Sequence, residues 1–305
     1  MIAEKKKILK AWWPSFLFVG VLAVLVAMFI LGGTGKVLSW YLALCLPLLG
    51  LCYLVGVTIK LVWTRRVSLS LTISILIGIA ALTPITWLPM LRIWPMAFPM
   101  NTEITEPKLS IRVPTNQTML VSNGGNDPAK NVHVFLPPQR WAYDLLIEPH
   151  PYNSKVLTEY GCYGVPVVAP ISGKVILITN DVADSVPGVV DVTANAYGNH
   201  IVVEPEQGGF LFIAHLQPGS IPLQEGSNVI EGQVIGRCGN SGNTTAPHVH
   251  VHYQAQDPRK VALLAQGLPL FFRDNEGPAM PNGGQRLEDD EIIYLGDEIK
   301  HLSAN

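Results

Sequence analysis

The hydrophobic pattern divides the chain into two parts. The N-terminal part contains three long runs without a charged side chain, at positions 11–35, 37–59 and 67–91. A helix needs about 20 mostly apolar residues to cross a hydrocarbon core of about 30 Å, so each run is long enough. A cleaved signal peptide would account only for the first run. The pattern therefore predicts three transmembrane α-helices.

Basic residues around these runs predict the orientation of the helices. Lysines precede the first run, and Arg65 and Arg66 separate the second run from the third, whereas Lys36 is the only charge between the first two. By the positive-inside rule, the N-terminus is cytoplasmic and the chain after about Arg92 lies outside. Tryptophans near the predicted ends are expected to be interfacial anchors: Trp12, Trp13, Trp40, Trp63, Trp87 and Trp94.

The C-terminal part has a different pattern. Short runs of β-forming residues alternate with glycine, asparagine and proline, which is typical of an all-β domain. These runs are VPVVAP (165–170), GKVILI (173–178), NHIVVEP (199–205), FLFIAHL (210–216), NVIEGQVIG (228–236) and HVHVHY (248–253).

These patterns give a predicted domain organisation. Residues 1–95 form the membrane anchor, and residues 96–118 are a linker or a strand leading into the next domain. The β-rich domain covers 119–260, and residues 261–305 are an extension that packs on or near it.

Charge and cysteine content narrow the possible functions. The formal net charge is -2, so the chain lacks the basic excess with which a nucleic-acid-binding protein neutralises phosphates. Cys162 and Cys238 lie in the part predicted to be outside the cytoplasm, where disulfides persist, and we expect them to pair. Loop carboxylates such as Asp184 are expected to be solvated.

Candidate metal ligands begin with three alternating histidines. His248, His250 and His252 lie in GNSGNTTAPHVHVHY (239–253), and in a strand their rings would project from one face. Imidazole is the commonest protein metal ligand. A pair of histidines on a strand is a weak signal by itself, because a structural explanation is about equally plausible.

Two further residues strengthen the metal hypothesis. His215 ends an apolar run, and Asp144 interrupts another one in QRWAYDLL, where an unpaired carboxylate would be costly. Together with the alternating histidines, they supply the residue types of a zinc hydrolase site.

The C-terminal part resembles the lysostaphin-like (LytM-type) zinc metallopeptidases, which are peptidoglycan endopeptidases. The resemblance covers roughly residues 120–255 and includes VPVVAPISGKV, GNHIVV, AHL, the V-x-x-G-Q-x-I-G-x-x-G-N-S-G run and H-x-H. It implies a mostly antiparallel lysostaphin-like β fold, with Asp144 and His250 as Zn²⁺ ligands. It also implies that His215 and His248 are catalytic residues that flank the reacting water.

One position departs from the family pattern. The first family motif, H-x-x-x-D, has a histidine four residues before the aspartate, where this chain has Arg140. Arginine has no free lone pair and stays protonated, so it cannot bind zinc. His133 and His252 are the available substitutes, and His133 is preferred because it comes from the chain region that normally provides this ligand.

Together, the three predicted helices and the resemblance predict a membrane-anchored zinc metallo-endopeptidase that hydrolyses peptide cross-links or bridges of peptidoglycan. Its expected partners are the peptidoglycan peptide and, through the three helices, membrane lipid. Its expected location is the bacterial inner (cytoplasmic) membrane, with the peptidase domain periplasmic or extracellular. The alternative, favoured by Arg140, is a non-catalytic lysostaphin-like module that binds cell wall or regulates another hydrolase.

Overall fold

The structure, a computed structural model, describes residues 19–65, 69–81, 97–189, 195–289 and 291–302. It divides into two compact units, Met1–Pro99 and Met100–Asn305. Several parts of the predicted membrane anchor lie outside the described residues. They are the basic N-terminal segment, the first residues of the first predicted span, most of the second half of the third span, and Trp12, Trp13, Trp87 and Trp94.

The first unit contains three helices in its described residues. They are α1 (Val19–Ile30), α2 (Gly33–Thr64) and α3 (Leu69–Ala81). Within the part of the chain that the structure describes, α2 is the one helix long and apolar enough to cross a membrane, and α1 is shorter but apolar. Tyr53 and Val57 of α2 pack against Leu71 of α3.

The break between the first two helices differs from the sequence-based expectation. It lies at Leu31 and Gly32 rather than at Lys36, which belongs to α2. Adjacent glycines explain the position, because glycine is among the least favourable residues in a helix interior and Gly33 adopts a φ of 57°. The Lys36 ammonium instead lies 5.9 Å from the centre of the Phe98 ring.

The second unit is built around a nine-stranded sheet in which every neighbouring pair is antiparallel. Its strand order is β12-β15-β2-β3-β10-β7-β6-β5-β8. These strands are β2 (Met119–Asn123), β3 (Tyr143–Leu146), β5 (Gly173–Thr179), β6 (Asn199–Pro205), β7 (Phe210–Leu216), β8 (Asn228–Val229), β10 (Val249–Gln254), β12 (Asn275–Glu276) and β15 (Glu298–His301). The prediction of a mostly antiparallel β domain is therefore confirmed.

Three two-stranded sheets and a few short helical turns complete this unit. The sheets pair β1 (Leu109–Ile111) with β11 (Leu270–Phe272), β4 (Pro166–Val168) with β9 (Val234–Arg237), and β13 (Gln285–Glu288) with β14 (Glu291–Tyr294). The helical elements are α4 (Pro258–Val261) and the 3₁₀ turns Val132–Phe135, Pro137–Gln139, Leu157–Glu159 and Ala262–Leu264.

One face of the large sheet covers the main hydrophobic core, and the other face holds the histidines. Along β10, Val249, Val251 and Tyr253 are buried in the core. Because strand side chains alternate between faces, His250 and His252 project from the opposite face. The predicted alternation is present for His250 and His252, whereas His248 precedes the strand.

Candidate metal centre

The centre of the site is a carboxylate between two imidazoles. Strands β3 and β10 pair with Asp144 directly opposite His250, and His250 Nδ1 lies 2.8 Å from Asp144 Oδ1. On the other carboxylate oxygen, His133 Nε2 lies 2.8 Å from Asp144 Oδ2. Strand register thus brings together residues that are more than a hundred positions apart.

His133 reaches the cluster from the first 3₁₀ turn. This turn is capped by Asn131, whose side-chain oxygen accepts a hydrogen bond from the His133 backbone N–H at 3.0 Å. The Asn131 amide also donates to the carbonyl of Gly125 at 2.9 Å. The cap therefore fixes both the turn and the imidazole that the turn presents.

A β-bulge brings His215 to the site. In β7, both Ile213 and Leu216 face the hydrophobic core, and the pairing with β6 shifts by one residue between them. His215 has a φ of 60°, in the left-handed region that costs a non-glycine residue about 1–2 kcal/mol. In a regular strand His215 would share the core face with Ile213. The bulge turns its side chain to the opposite face, where the site lies.

Two backbone carbonyls determine which nitrogen each of two histidines offers to the site. His215 Nδ1 lies 2.8 Å from the carbonyl of Ser241, and His248 Nδ1 lies 2.8 Å from the carbonyl of Ala246. A carbonyl only accepts hydrogen bonds, so Nδ1 donates in both rings. In the neutral imidazoles the lone pair is therefore on Nε2, and His248 Nε2 lies 3.4 Å from Asp144 Oδ1.

Burial and neighbouring charges shift the pKa values of several of these groups. It lowers the pKa of His215 well below its usual value and that of His250 to about 4. Burial alone would raise the pKa of Asp144, but His133 and His248 hold it well below the usual range. Burial would also lower the pKa of His248, but the Asp144 carboxylate raises it overall. The site therefore combines an ionised Asp144 carboxylate with neutral His215 and His250 imidazoles, which are the forms that bind metal ions.

The turn formed by residues 239–242, here called the GNSG turn, holds His215 in place through the Ser241 carbonyl. The Ser241 hydroxyl accepts a hydrogen bond from the Asn199 N–H at 2.8 Å and donates to the Leu216 carbonyl at 2.7 Å. Gly198 and Gly242 meet here: a Cβ on Gly198 would lie 2.2 Å from the Ser241 carbonyl oxygen, and one on Gly242 would lie 2.3 Å from the Gly198 nitrogen. Both glycines have positive φ, at 55° and 84°.

Asp184 corrects a sequence-based expectation. It is not a solvated loop charge, because its carboxylate accepts hydrogen bonds from the Asn240 N–H at 2.8 Å and from the Tyr163 hydroxyl at 2.9 Å. An isolated bridge also joins Asp184 to Ser241. The carboxylate thus helps to hold the GNSG turn.

Arg140, at the position of the family's histidine, and His252, the other substitute considered for the third ligand, have different surroundings. The Arg140 guanidinium is buried, contacts Asn126 at 3.3 Å and lies 5.0 Å from the centre of the Trp141 ring. His252 Nδ1 lies 2.9 Å from His250 Nε2. This His250 nitrogen is the one that does not contact Asp144. The His252 ring stacks on Phe212 with centroids 4.3 Å apart.

Cys162 and Cys238 form a disulfide, with their Cα atoms 5.8 Å apart. The bond joins the segment before β4 to the residue that follows β9, next to the GNSG turn. Cys45 and Cys52 in α2 are free thiols.

The donor atoms fit a divalent metal ion such as zinc. Two sets of side chains, His133–Asp144–His250 and His215–His248–His250, each offer one ligand atom per residue, with the atoms of a set within 4.8 Å of one another. Ligand atoms about 2.0–2.2 Å from a tetrahedral zinc are roughly 3.3 Å apart, close to the contacts around Asp144. Mixed imidazole and carboxylate donors are also the types that zinc prefers.

Some residues of the site escaped the sequence analysis. Asn123 donates to Asp144 Oδ2 at 3.3 Å, and the Thr244 hydroxyl lies 3.2 Å from His248 Nδ1. The Tyr197 ring lies 5.2 Å from that of His252, and its hydroxyl accepts from Gln139 at 3.2 Å. No local pattern distinguishes these residues, because their roles depend on strand order and on turn contacts.

Part of this domain matches a known protein family. Residues 158–261 match Peptidase family M23, a range that contains His215, His248 and His250 but begins after Asp144. The peptidoglycan DD-endopeptidase ShyA of Vibrio cholerae serotype O1 is 29% identical over 137 residues, which is 43% of this chain and 29% of the relative. The chain thus spans less than a third of that relative.

Two solved structures are similar over part of the chain. A zinc-containing peptidase from Vibrio cholerae is 22% identical, covering 48% of this chain and 36% of its own, with a TM-score of 0.32. The catalytic domain of the antimicrobial peptidase lysostaphin from Staphylococcus simulans is 21% identical, covering 47% and 90%, with a TM-score of 0.27. The match of residues 158–261 to Peptidase family M23 confirms the resemblance noted in the sequence.

Proposed function

We propose that this chain is a membrane-anchored zinc endopeptidase that hydrolyses peptide bonds of peptidoglycan. The observation that carries the proposal is the convergence of Asp144, His133, His215, His248 and His250, with ligand atoms grouped in two sets that share His250. The family match and a relative named as a peptidoglycan DD-endopeptidase support the substrate class.

In this proposal three residues hold the metal. They are Asp144, His250 through Nδ1, and His133 through Nε2, the two ring nitrogens that lie 2.8 Å from the carboxylate. His133 takes the role that the family gives to the position of Arg140. When bound, zinc would polarise the scissile carbonyl and make water acidic enough to act as a nucleophile near neutral pH.

His215 and His248 are the proposed catalytic residues. Their Nδ1 atoms are engaged by backbone carbonyls, so each can accept or return a proton only at Nε2. Their ring centres are 4.7 Å apart, close enough for both to act on one substrate. Such positioned proton transfer contributes typically about 10²–10⁴-fold to rate.

We also propose that the first unit anchors the enzyme in a bacterial cytoplasmic membrane, with the M23 domain on the outer side. The supporting observations are the length and apolar surface of α2 and the many exposed apolar side chains of the first unit, including Leu48, Ile59 and Val62. The arrangement of basic residues supports the orientation. The disulfide is consistent with an oxidising compartment.

Zinc content and peptidoglycan digestion by the purified full chain in detergent test the enzymatic proposal. We expect the wild type to hold zinc and release peptides from purified sacculi. His133→Ala should lose zinc affinity by more than the roughly 10–100-fold typical of removing an outer-sphere partner. Arg140→Ala and His150→Ala are matched controls that should keep their zinc.

Two outcomes would change this interpretation. If His133→Ala keeps zinc while His252→Ala loses it, the third ligand is His252. If the wild type neither holds zinc nor digests sacculi, the enzymatic proposal is wrong. The second candidate, suggested by Arg140 at the family's histidine position, is then a non-catalytic wall-binding module, which co-sedimentation with sacculi would detect.

A further inference from the structure

A cavity of about 240 Å³ lies beside the metal centre. Its lining comes from the loop after β3, from the segment before His248 and from the β13–β14 hairpin. The main lining residues are His150, Tyr152, Tyr160, Ala246, Ile292 and Tyr294. We call this cavity the hairpin pocket.

The hairpin pocket shares a wall with the proposed catalytic machinery. Ala246 lines the pocket, and its carbonyl accepts the hydrogen bond from His248 Nδ1. The neighbouring Thr245 also lines the pocket, and its carbonyl accepts from the Gly188 N–H at 2.7 Å. A substrate group in the pocket would therefore lie next to a histidine of the site.

Four of the ten described lining residues of the hairpin pocket are aromatic: His150, Tyr152, Tyr160 and Tyr294. None of its described residues carries a carboxylate, an ammonium or a guanidinium group. The His150 and Tyr294 rings pack edge to face with centroids 4.8 Å apart. A charged group would find no carboxylate, ammonium or guanidinium group among the lining residues and would lose hydration, which is costly, whereas an apolar group would gain by burial.

The size of the pocket limits its occupant. Pockets for whole small molecules have volumes from about 300 Å³ upwards, so this one suits a single side chain of a longer ligand. An extended peptide bound at the metal centre would present such a side chain to a neighbouring subsite.

We propose that the hairpin pocket receives an uncharged, mainly aliphatic side chain of the peptide substrate near the scissile bond, and that the β13–β14 hairpin sets this preference. The inference rests on the proposed function. The hairpin lies outside residues 158–261, which match the family, so this wall of the site is supplied by a part of the chain beyond that match.

The hairpin provides a matched pair of positions for a test. Along β14, Ile292 and Tyr294 line the pocket, whereas Ile293 is 38% exposed and lies on the other side of the strand. Ile292→Glu would place a carboxylate in the pocket, and Ile293→Glu would place one on the opposite face of the same strand.

The experiment treats the zinc-loaded full chain in detergent with a mixture of synthetic peptides that vary in side chain, and identifies the products by mass spectrometry. We expect the wild type to prefer aliphatic residues over lysine at one position relative to the cut by about tenfold or more, which is within the discrimination that apolar pockets achieve. Ile292→Glu should raise the relative cleavage of the lysine peptides about tenfold, and Ile293→Glu should behave as the wild type. An unchanged preference in Ile292→Glu, or an equal shift in both variants, overturns the proposal.

A binding measurement separates this inference from the proposed function. Saturation-transfer NMR with N-acetyl-leucinamide and N-acetyl-lysinamide reports on the pocket without hydrolysis. If no peptide is cleaved but leucinamide binds selectively and Ile292→Glu abolishes that binding, the enzymatic proposal fails and the pocket assignment stands. If cleavage occurs but neither amide binds and no preference is found, the pocket assignment fails alone.

Discussion

At the scale of single residues, the backbone conformation of His215 is the most consequential detail. Its φ of 60° lies in a region that costs a non-glycine residue about 1–2 kcal/mol. The bulge in β7 imposes this conformation. It also interrupts the alternation of side chains between the two faces of the sheet, so that the His215 ring points to the site. Strain of this kind is often found where function requires it.

Substituting His215 by glycine and by alanine tests this strain. His215→Gly should be more stable than His215→Ala by about 0.5–1 kcal/mol, because glycine adopts positive φ without steric cost, partly offset by its greater freedom when unfolded. The measurement is denaturant unfolding of both variants in the presence of a chelator, so that metal binding does not contribute.

A position in a regular strand serves as the control. Lys174 is exposed in β5, and there the order should reverse, with Lys174→Ala more stable than Lys174→Gly. If the His215 pair follows the Lys174 pair, the positive φ is not a strained feature of the folded chain.

At the scale of elements, the disulfide joins Cys162, before β4, to Cys238, after β9, across 76 positions of sequence. Closing a loop of this length restricts the unfolded chain, which typically stabilises a protein by about 2–4 kcal/mol. The bond lies beside the GNSG turn, so it stabilises the fold close to the proposed catalytic histidines.

Removal of the disulfide should therefore lower the free energy of unfolding of the β-rich unit. We expect a Cys162→Ser/Cys238→Ser variant to lose about 2–4 kcal/mol in the free energy of unfolding, followed through the β-sheet signal in circular dichroism. A reducing agent should bring the wild type to the same midpoint. The Cys45→Ser/Cys52→Ser variant is the control, and its midpoint should match that of the wild type; a reductant-insensitive wild type would contradict the expectation.

The elements also indicate how far sequence reasoning reaches. Runs such as FLFIAHL (210–216) and NHIVVEP (199–205) correspond directly to β7 and β6, because alternation and turn residues are local signals. The run NVIEGQVIG (228–236), by contrast, contains β8 and the start of β9, which belong to different sheets. A single tight turn at Glu231 and Gly232 separates the two strands, and its Gln233 N–H donates to the Ile230 carbonyl at 2.9 Å.

The site required information that no local pattern contains. Residue types and the family resemblance singled out Asp144 and His250, but their contact follows from β3 lying beside β10. Similarly, the proximity of His133 to Asp144 depends on a capped 3₁₀ turn, and the orientation of His215 depends on a bulge. Strand order and bulges result from packing across the whole sheet, so they became visible only in three dimensions.

At the scale of the whole molecule, an apolar helical unit shares one chain with the β-rich unit that contains the residues matching Peptidase family M23. The proposal of an anchored enzyme predicts that the full chain sediments with membranes and resists alkaline extraction when made in a bacterial cell. Protease added to spheroplasts should remove the chain after about residue 100, because the predicted orientation exposes that part. Full protection until lysis would indicate the opposite orientation, and release by alkali would exclude spanning helices.

The meeting of Gly198 and Gly242 has a consequence for sequence variation in this domain. Each turn fills the space that a side chain of the other would need, and no residue smaller than glycine exists to relieve a substitution at either place. A second mutation at the partner position therefore offers no compensation, so a library randomised at both positions and selected for folding should return the parental pair. This contact therefore excludes stepwise substitution at either of the two positions.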